Sequence, residues 1–389
     1  MTTTVERPTS AADAARVLKD TRGTVLFRGA GTKMDWGGRP ADDPQVLLET
    51  GGMQRLLSHN PADMTVAVES GMPLRTLQDL LAGAGQWLAL DPPTEPAGAT
   101  VGGLLVTGDS GPRRLRYGAL RDLVIGITLV LADGTVARAG GQVIKNVAGY
   151  DLSKLSYGSL GTLGLVAEVV LRVHPRPEAS ATVVVAATVA EAASRTLDLL
   201  ASPLEPAAVD WVGEGPAGGR LAVRFEGTTA GVDAQTAALR KLIDGAEALA
   251  GADETALWEE FAAAHRGAPG QSVAFAGTLP SRLPAVAAAL TEAGDAAGVA
   301  VLLASHTALG LHTAHFAGPP PQQARAFERW RQAMLALGAT VLLRERPPEV
   351  DAAVDPLGPA PSAVGLLRAV KYRLDPDGRC APGRLGSWL

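Results

Sequence analysis

Apolar and polar positions along the chain fall into two alternating periods, and the switches between them mark the elements. Ser10, followed by Ala14, Val17 and Leu18 at helical spacing, predicts a capped helix over residues 11–19. Short apolar runs at 24–27, 46–48 and 65–68 predict strands. Pro73 reads as the first turn of a helix reaching about Ala82, where a missing N–H is harmless. Residues 87–90 read as another strand, ended by Asp91-Pro92-Pro93. Residues 124–131 are apolar almost throughout, as a strand covered on both faces would be. Asp133-Gly134 then turns the chain back into a hairpin with 135–139.

Pro175 and Pro177 mark a boundary, and beyond it one order of elements occurs twice. The first pass predicts a strand at 182–188, a helix at 190–201, strands at 207–212 and 221–226, and a helix at 229–249. Residues 254–264 read as helical. The second pass predicts a strand at 272–279, a helix at 281–293, strands at 299–305 and 309–316, a helix at 322–337 and a strand at 340–344. Two β-α-β-β-α units of this kind imply one antiparallel sheet with helices on one side. Residues 347–361 read as an extended surface linker and 364–372 as a helix. The expected domains are therefore 1–176, 177–346, and a linker, C-terminal helix and tail over 347–389 that returns to the first domain.

Composition narrows the function classes. The 389 residues are 47% hydrophobic and 19% charged, an ordinary globular balance. A net charge of −5 with no basic block argues against a nucleic-acid partner. The first residues lack the apolar core of a signal peptide, and the most apolar stretch, 123–132, is too short to span a bilayer. A cytoplasmic location is the expectation. The single cysteine, Cys380, rules out an internal disulfide and an all-cysteine iron–sulfur site within this chain.

The candidate chemistry lies in three glycine-rich loops at strand ends. In the first, Arg28-Gly29-Ala30-Gly31-Thr32-Lys33, successive N–H groups can form a nest for phosphate oxygens, with Arg28 and Lys33 adding charge. A plain strand-to-loop turn is the alternative. The loop is not a dinucleotide fingerprint, because Met34 stands where the third glycine would fall. It is not a P-loop either, since no Gly-Lys-Ser/Thr ends it. The second loop spans 100–111. In the third, Gly158, Gly161 and Gly164 recur every third residue, more glycine than a simple bend needs. Three such loops in one apparent domain fit one long ligand with a pyrophosphate and two flat ends.

These loops also carry a resemblance. RGAGTK from Arg28, ATVGGLLVTGDSGPRR from Ala99 and GSLGTLGLVAEV from Gly158 resemble the cofactor loops of the vanillyl-alcohol-oxidase, or PCMH-type, FAD-binding family. SGPRRLRYGALRDLVIG and GGQVIKNVAGYDLSKL are similar to the FAD-binding E subunits of glycolate oxidases. The resemblance covers the N-terminal half well; beyond it lie only the expected topology and the terminal Pro382-Gly383-Arg384. It implies an α+β fold: a PCMH-type FAD-binding domain of two α+β subdomains, then an antiparallel-sheet cap domain with helices on one face. It also implies an FAD-dependent oxidoreductase, the FAD-binding subunit of a glycolate oxidase (dehydrogenase) complex that oxidises a 2-hydroxy acid. The implied partners are a second FAD subunit and an iron–sulfur subunit, through which the chain would sit peripherally at an inner membrane. Two alternatives stay open: a stand-alone FAD-dependent D-lactate or 2-hydroxy-acid dehydrogenase, and a non-catalytic subunit that holds FAD or aids assembly.

Carried over by position, Arg28, Gly29, Ala30, Gly31, Thr32 and Lys33 would wrap the pyrophosphate. Thr100, Gly102 and Gly103 would approach the pyrophosphate and ribityl chain, with Ser110 and Gly111 near the flavin. Gly158, Gly161 and Thr162 would line the cleft, and the Val166 backbone would meet adenine or ribose. Lys145, Asn146, Tyr150 and Asp151 would fix the cofactor loop, meet a partner subunit, or form a local network in which Asp151 caps a helix.

Two departures from the family matter. Several relatives link flavin covalently through a histidine of the first loop; Thr32 occupies that position, so non-covalent FAD is expected. Catalytic relatives carry His-Gly-Asp-Gly-Asn-x-His in the cap, whereas this chain reads His306-Thr307-Ala308-Leu309-Gly310-Leu311-His312. His306 and His312 remain the candidate catalytic bases, and the thinned motif implies weak glycolate oxidation by the chain alone. His315 reads as packed, facing away from His312. No metal is expected, because the sequence offers this pair no recognisable carboxylate. Arg113, Arg114 and Arg116 would bind a substrate carboxylate or form a solvated turn.

Overall fold

The computed structural model describes residues 3–40, 42–141, 151–215 and 218–389, and the statements below concern these residues. In chain order the first elements are β1 (Thr4–Glu6), α1 (Ala11–Asp20), β2 (Val25–Arg28), β3 (Val46–Glu49), β4 (Leu56–Asn60) and β5 (Thr65–Glu69). There follow α2 (Leu74–Ala82), β6 (Gln86–Trp87), α3 (Val101–Thr107), α4 (Arg114–Tyr117), α5 (Leu120–Leu123), β7 (Val124–Val130) and β8 (Val136–Gly140). After α6 (Leu152–Ser156), β9 (Leu165–Arg172) and β10 (His174–Pro175) close the first stretch.

The chain divides into two compact units. The first comprises Met1–Ser110, Gly118–Arg176 and Pro359–Leu389; the second comprises Gly111–Tyr117 and Pro177–Gly358. The C-terminal segment thus belongs to the first unit, and the short 111–117 stretch to the second.

Two main sheets build the first unit. One is parallel, in the order β1-β3-β2, and the other is antiparallel, in the order β4-β5-β9-β7-β8. Ser10 caps α1 by accepting from the Asp13 N–H, as its sequence implies. β7 is an interior strand between β9 and β8, and its apolar run serves two cores. Ile127 and Leu129 pack among Leu104, Leu120 and Val169, while Val130 packs with Leu18 and Leu48 of the α1 layer. The strand expected over 87–90 is a ladder only at Gln86–Trp87, paired with β10. The Gln78 side chain takes both backbone groups of Leu88, at 2.7 and 3.0 Å, so no partner strand is needed there.

The second unit runs β11 (Ala179–Ala186), α7 (Val189–Leu200), β12 (Ala208–Gly215), β13 (Gly218–Gly227), α8 (Thr229–Leu242), β14 (Glu247–Leu249) and α9 (Gly251–Arg266). It continues with β15 (Ser272–Gly277), α10 (Leu283–Ala297), β16 (Ala300–His306), β17 (Leu311–Ala317), α11 (Pro320–Ala336), β18 (Thr340–Glu345) and α12 (Pro348–Asp351). Its eight strands form one sheet in the order β14-β11-β13-β12-β16-β17-β15-β18, with every pairing antiparallel. One face buries Trp211, Phe225, Phe316, Phe327 and Trp330 with α7, α8, α10 and α11. The Trp211 indole N–H is satisfied by the Ala187 carbonyl at 3.0 Å.

Three sequence expectations need correction here. Helices do not lie on one face alone: Leu257, Trp258 and Phe261 of α9 pack with Val184, Ala208 and Ala222 on the opposite face. There the buried pair Arg224–Glu254, at 2.9 Å, is completed by the Thr182 and Ser180 hydroxyls. The helix expected to reach 249 stops at Leu242, where Ile243 turns extended; Gly245, at φ +73°, sits in the turn that follows, and β14 joins the edge of the sheet. The expected surface linker is instead docked. Val350, Val354 and Leu357 are buried, and Leu343 N–H donates to the Pro356 carbonyl at 2.8 Å. Helix α13 (Val364–Leu374) then begins the part of the tail that belongs to the first unit. Among the described residues, no helix is long and apolar enough to cross a membrane.

Candidate functional site

Where β2 ends, the chain turns through the first glycine loop into the wall of a cleft of about 700 Å³, counting space open to solvent. Arg28, Gly29, Ala30, Gly31, Thr32 and Lys33 line it, opposite Thr100, Gly102 and Gly103. Gly161 and Val166 complete the set of expected residues that the fold brings together. Four expected residues lie off this lining: Ser110, Gly111, Gly158 and Thr162. Gly111 belongs to the second unit. Thr162 is buried and spends its hydroxyl on the Ser159 carbonyl at 2.7 Å.

The glycines have more than one cause. A Cβ on Gly29 would stand 2.4 Å from the Thr100 hydroxyl oxygen, and one on Gly102 would stand 2.6 Å from the Ser70 Cβ. These two glycines let the loop, α3 and the β5 end close on one another. The reading of glycine as space for a ligand holds at Gly31, where φ is +79° and the nearest atom to a Cβ is 3.6 Å away.

The charges are also arranged differently from the sequence expectation. Arg28 is paired with Glu49, which also holds Arg7 at 2.6 Å. Lys33 is buried, with its ammonium 2.9 Å from Thr94 Oγ1, 3.0 Å from Thr32 Oγ1 and 3.6 Å from Asp109. Both cations therefore already face carboxylates of the chain. What the cleft does offer a cofactor is backbone and hydroxyl. Ser70 lines the cleft, and its buried Oγ has no hydrogen-bond partner among the described residues. Such a group is costly unless something occupies the space it faces. The left-handed Gly31, the orphaned Ser70 hydroxyl and the size of the cleft fit a dinucleotide-type cofactor.

Residues far along the chain hold this cradle. The buried Arg384 guanidinium lines the cleft and donates to the carbonyls of Met34, of Lys33 at 3.2 Å and of Gly38 at 3.4 Å. Lys371 donates to the Thr162 carbonyl at 2.7 Å and to that of Cys380 at 3.0 Å. Leu160, another lining residue, has a φ of +51°, a strained conformation for a branched side chain. Arg384 was visible in sequence only as part of the terminal Pro-Gly-Arg. Burial, then the nearby Asp375 carboxylate, pushes the Cys380 thiol up to about 12, so it is inert. Asp151 caps α6 by accepting from Lys154 N–H, its local-network reading. Lys145, Asn146 and Tyr150 lie outside the described residues.

In the second unit Arg113 and Arg116 of the arginine cluster are committed to structure. Arg113 donates to the buried Glu226 at 2.8 Å, Tyr117 OH donates to the same carboxylate at 3.0 Å, and Arg116 donates to the Glu226 carbonyl at 2.5 Å. Burial, then the Glu226 charge, pushes the Tyr117 phenol up to about 12. Arg113 is thus neither a solvated turn nor a free carboxylate clamp.

The two histidines of the thinned motif are not brought together. His306 pairs across the ladder with Asp210, and His312 with Ser305, so they project from opposite faces of the sheet. His312 has both ring nitrogens on hydroxyls: Nδ1 on Ser305 at 2.9 Å and Nε2 on Thr278 at 2.8 Å. Burial, then the charges of His306 and His265, hold it down at about 3. His315 lies on the other face and is held at about 4, chiefly by burial. His306 has company that the sequence did not reveal. Asp210 Oδ1 lies 2.6 Å from its Nδ1, and Asp210 Oδ2 lies 3.1 Å from Nε2 of His265 on α9. His265 Nδ1 meets Thr313 Oγ1 at 3.1 Å. Burial opposes ionisation of Asp210, yet the His306 charge and the two imidazole hydrogen bonds hold it at about 2.

Asp210, His265 and His306 are also close enough to share a cation, so the missing carboxylate on which the no-metal expectation rested exists in the fold. The geometry is nonetheless that of a hydrogen-bonded chain. The two imidazoles stack at 4.1 Å with planes only 25° apart. A metal must lie in both ring planes, about 2.0–2.1 Å from each nitrogen, and near-parallel rings do not converge there.

Comparison with known proteins identifies the domain that contains the first glycine loop. Residues 3–140 match the family model described as FAD binding domain. Escherichia coli (strain K12) glycolate oxidase subunit GlcE is 38% identical over 156 residues, 40% of this chain and 44% of that protein. Bacillus subtilis (strain 168) glycolate oxidase subunit GlcD is 32% identical over 209 residues, 53% of this chain and 44% of that protein. Arabidopsis thaliana mitochondrial D-lactate dehydrogenase [cytochrome] is 32% identical over 211 residues, 53% of this chain and 36% of that protein. Each match spans less than half of the relative's length. An alkyldihydroxyacetonephosphate synthase structure superposes on 97% of this chain and 76% of its own, with TM-score 0.74 at 17% identity, which speaks to fold alone. The chain is an α+β protein with a PCMH-type FAD-binding domain, and its cofactor is FAD.

Proposed function

We propose that the chain is the FAD-binding subunit of a glycolate oxidase-like complex that oxidises a small 2-hydroxy acid. The observation that carries this reading is the cleft at the first glycine loop. It lies in the matched FAD-binding domain, in a chain whose relatives are named glycolate oxidase subunits and D-lactate dehydrogenases. The loop's N–H groups and the Ser70 hydroxyl would hold the cofactor, and bound FAD would supply a two-electron acceptor. Oxidising a hydroxy acid also needs a base for the hydroxyl proton, and we assign that role to His306. His312 is not assigned, since both its nitrogens are engaged by hydroxyls. Thr32 offers no ring nitrogen for a covalent link, so the cofactor is held non-covalently. With a single cysteine in the chain, electrons would leave through a partner bearing iron–sulfur clusters, alongside a second FAD subunit. That partner set would place the chain in the cytoplasm, at the periphery of a membrane.

The test is anaerobic mixing of the flavin-loaded chain, alone and with candidate partner subunits, with glycolate and with D-lactate. Bleaching of the flavin absorbance by one of the acids supports the reading. Absence of bleaching by any 2-hydroxy acid, alone or in the complex, sinks it. Full turnover with a natural acceptor by the chain alone would replace it with a stand-alone dehydrogenase.

A further inference from the structure

The chain Thr313–His265–Asp210–His306 runs through four elements: β17, α9, β12 and β16. All four side chains are at least nine-tenths buried. Hydrogen-bond direction along it is fixed by Asp210. An ionised carboxylate only accepts, so the nitrogens facing it, His306 Nδ1 and His265 Nε2, must both carry hydrogen. Burial favours the neutral ring at His265, and in that state its Nδ1 lone pair accepts from the Thr313 hydroxyl. Both its nitrogens are spent, and burial, then the His306 charge, lowers its proton affinity. His306 differs: with Nδ1–H on Asp210, its lone pair is on Nε2.

We infer that Asp210 and His265 are positioning residues that make His306 Nε2 the single proton-accepting atom of this buried cluster. The charge count supports the assignment. With both rings neutral, the cluster carries one uncompensated buried negative charge. One proton on His306 neutralises it, and a second would place two cations in stacked rings 4.1 Å apart. The stack with His265 also fixes the plane of the His306 ring, which its short bond to Asp210 then orients. Among the described residues, the titratable and charged groups around the two rings include Asp210 from β12, His312 and His315 from β17, and Arg344 from β18. Asp210 is the one carboxylate in that set. This assignment deepens the hydroxy-acid reading and rests on it for the identity of the proton donor, but its own test does not.

The experiment is histidine-selective ¹⁵N NMR of the FAD-loaded full chain across pH, with the six histidines assigned by single His→Gln variants. The expected result is a His306 ring in the Nδ1–H form. His265 should stay in the Nε2–H form, without titrating, over the same range. Asp210→Asn, whose amide can donate as well as accept, should release His306 from the single Nδ1–H tautomer. His265→Gln, which retains a donor toward Asp210, should leave the His306 tautomer unchanged. A His306 ring in the Nε2–H form, a His265 ring in the Nδ1–H form, or joint displacement of both signals by stoichiometric Zn²⁺ or Mn²⁺ would overturn the inference; the last would mark a metal site. A second arm follows flavin bleaching by glycolate or D-lactate against pH. If Asp210→Asn moves the acid limb while NMR shows the His306 tautomer released, the cluster serves the proposed reaction. If the NMR result holds and no hydroxy acid bleaches the flavin, the function reading fails and the assignment of the proton site stands.

Discussion

Replacing Arg384 by Met tests whether the far C-terminus builds the cofactor cradle. The guanidinium is buried and donates to three carbonyls of the 33–38 turn, of which the Gly38 contact, at 3.4 Å, is long. Methionine fills much of the same volume and removes every donor. Hydrogen bonds from a charged group are worth about 1.5–3 kcal/mol each, so two good ones amount to about 3–6 kcal/mol of loop ordering. Water will recover part of this, because the cleft is open to solvent. If about 3–4 kcal/mol must be repaid when FAD binds, affinity falls by roughly two to three orders of magnitude. The assay is fluorescence titration of the apo chain with FAD, alongside its thermal midpoint. Arg379→Met is the control. Arg379 is another arginine of the same segment, and it donates to the carbonyls of Leu18, Thr21, Gly23 and Ala132, none of which lines the cleft. It should lower the thermal midpoint while leaving FAD affinity nearly unchanged in the folded protein. Arg384→Met with FAD affinity within about threefold of the parent would refute the cradle argument. So would an equal affinity loss in both variants.

Three further outcomes are expected. Gly31→Val should lose FAD and stay folded, because a β-branched residue at φ +79° is strained and its side chain intrudes on the cleft; retained stoichiometric flavin in the purified variant would remove this loop from the site. Intact-mass measurement under denaturing conditions should return the 39.9 kDa polypeptide alone, and an added FAD mass would disprove non-covalent binding. Stability should fall as pH drops from about 6.5, because the folded-state values of His312, about 3, and His315, about 4, lie below the unfolded value. The stabilisation is complete above the unfolded value and is lost as pH falls toward the folded ones; for His312 the ceiling is about 4–5 kcal/mol, at about 1.4 kcal/mol per unit. Urea midpoints at pH 7.5 and 5.0 measure it, and a pH dependence as large in His312→Gln as in the parent would show that this ring is not its source.

The sequence by itself determined what local chemistry decides. Ser10 and Asp151 cap helices because a short polar side chain reaches the next turn's N–H wherever the chain goes. The Asp133-Gly134 turn, the apolar run of β7 and the repeated order of the second unit follow from turn chemistry and periodicity. The first glycine loop was legible because a strand that breaks into glycines has few uses. What the tertiary structure alone decided are pairings between distant residues. Asp210 and His306 are 96 positions apart, and Arg384 and Met34 are 350 apart, so no window along the chain contains either pair. Arg28 and Lys33 looked available for phosphate until the fold set Glu49 and Asp109 beside them. His306 and His312 kept the spacing of a familiar motif, but strand register put them on opposite faces of one sheet. Spacing along a chain says which residues can share a face, and only the pairing of strands says which of them meet.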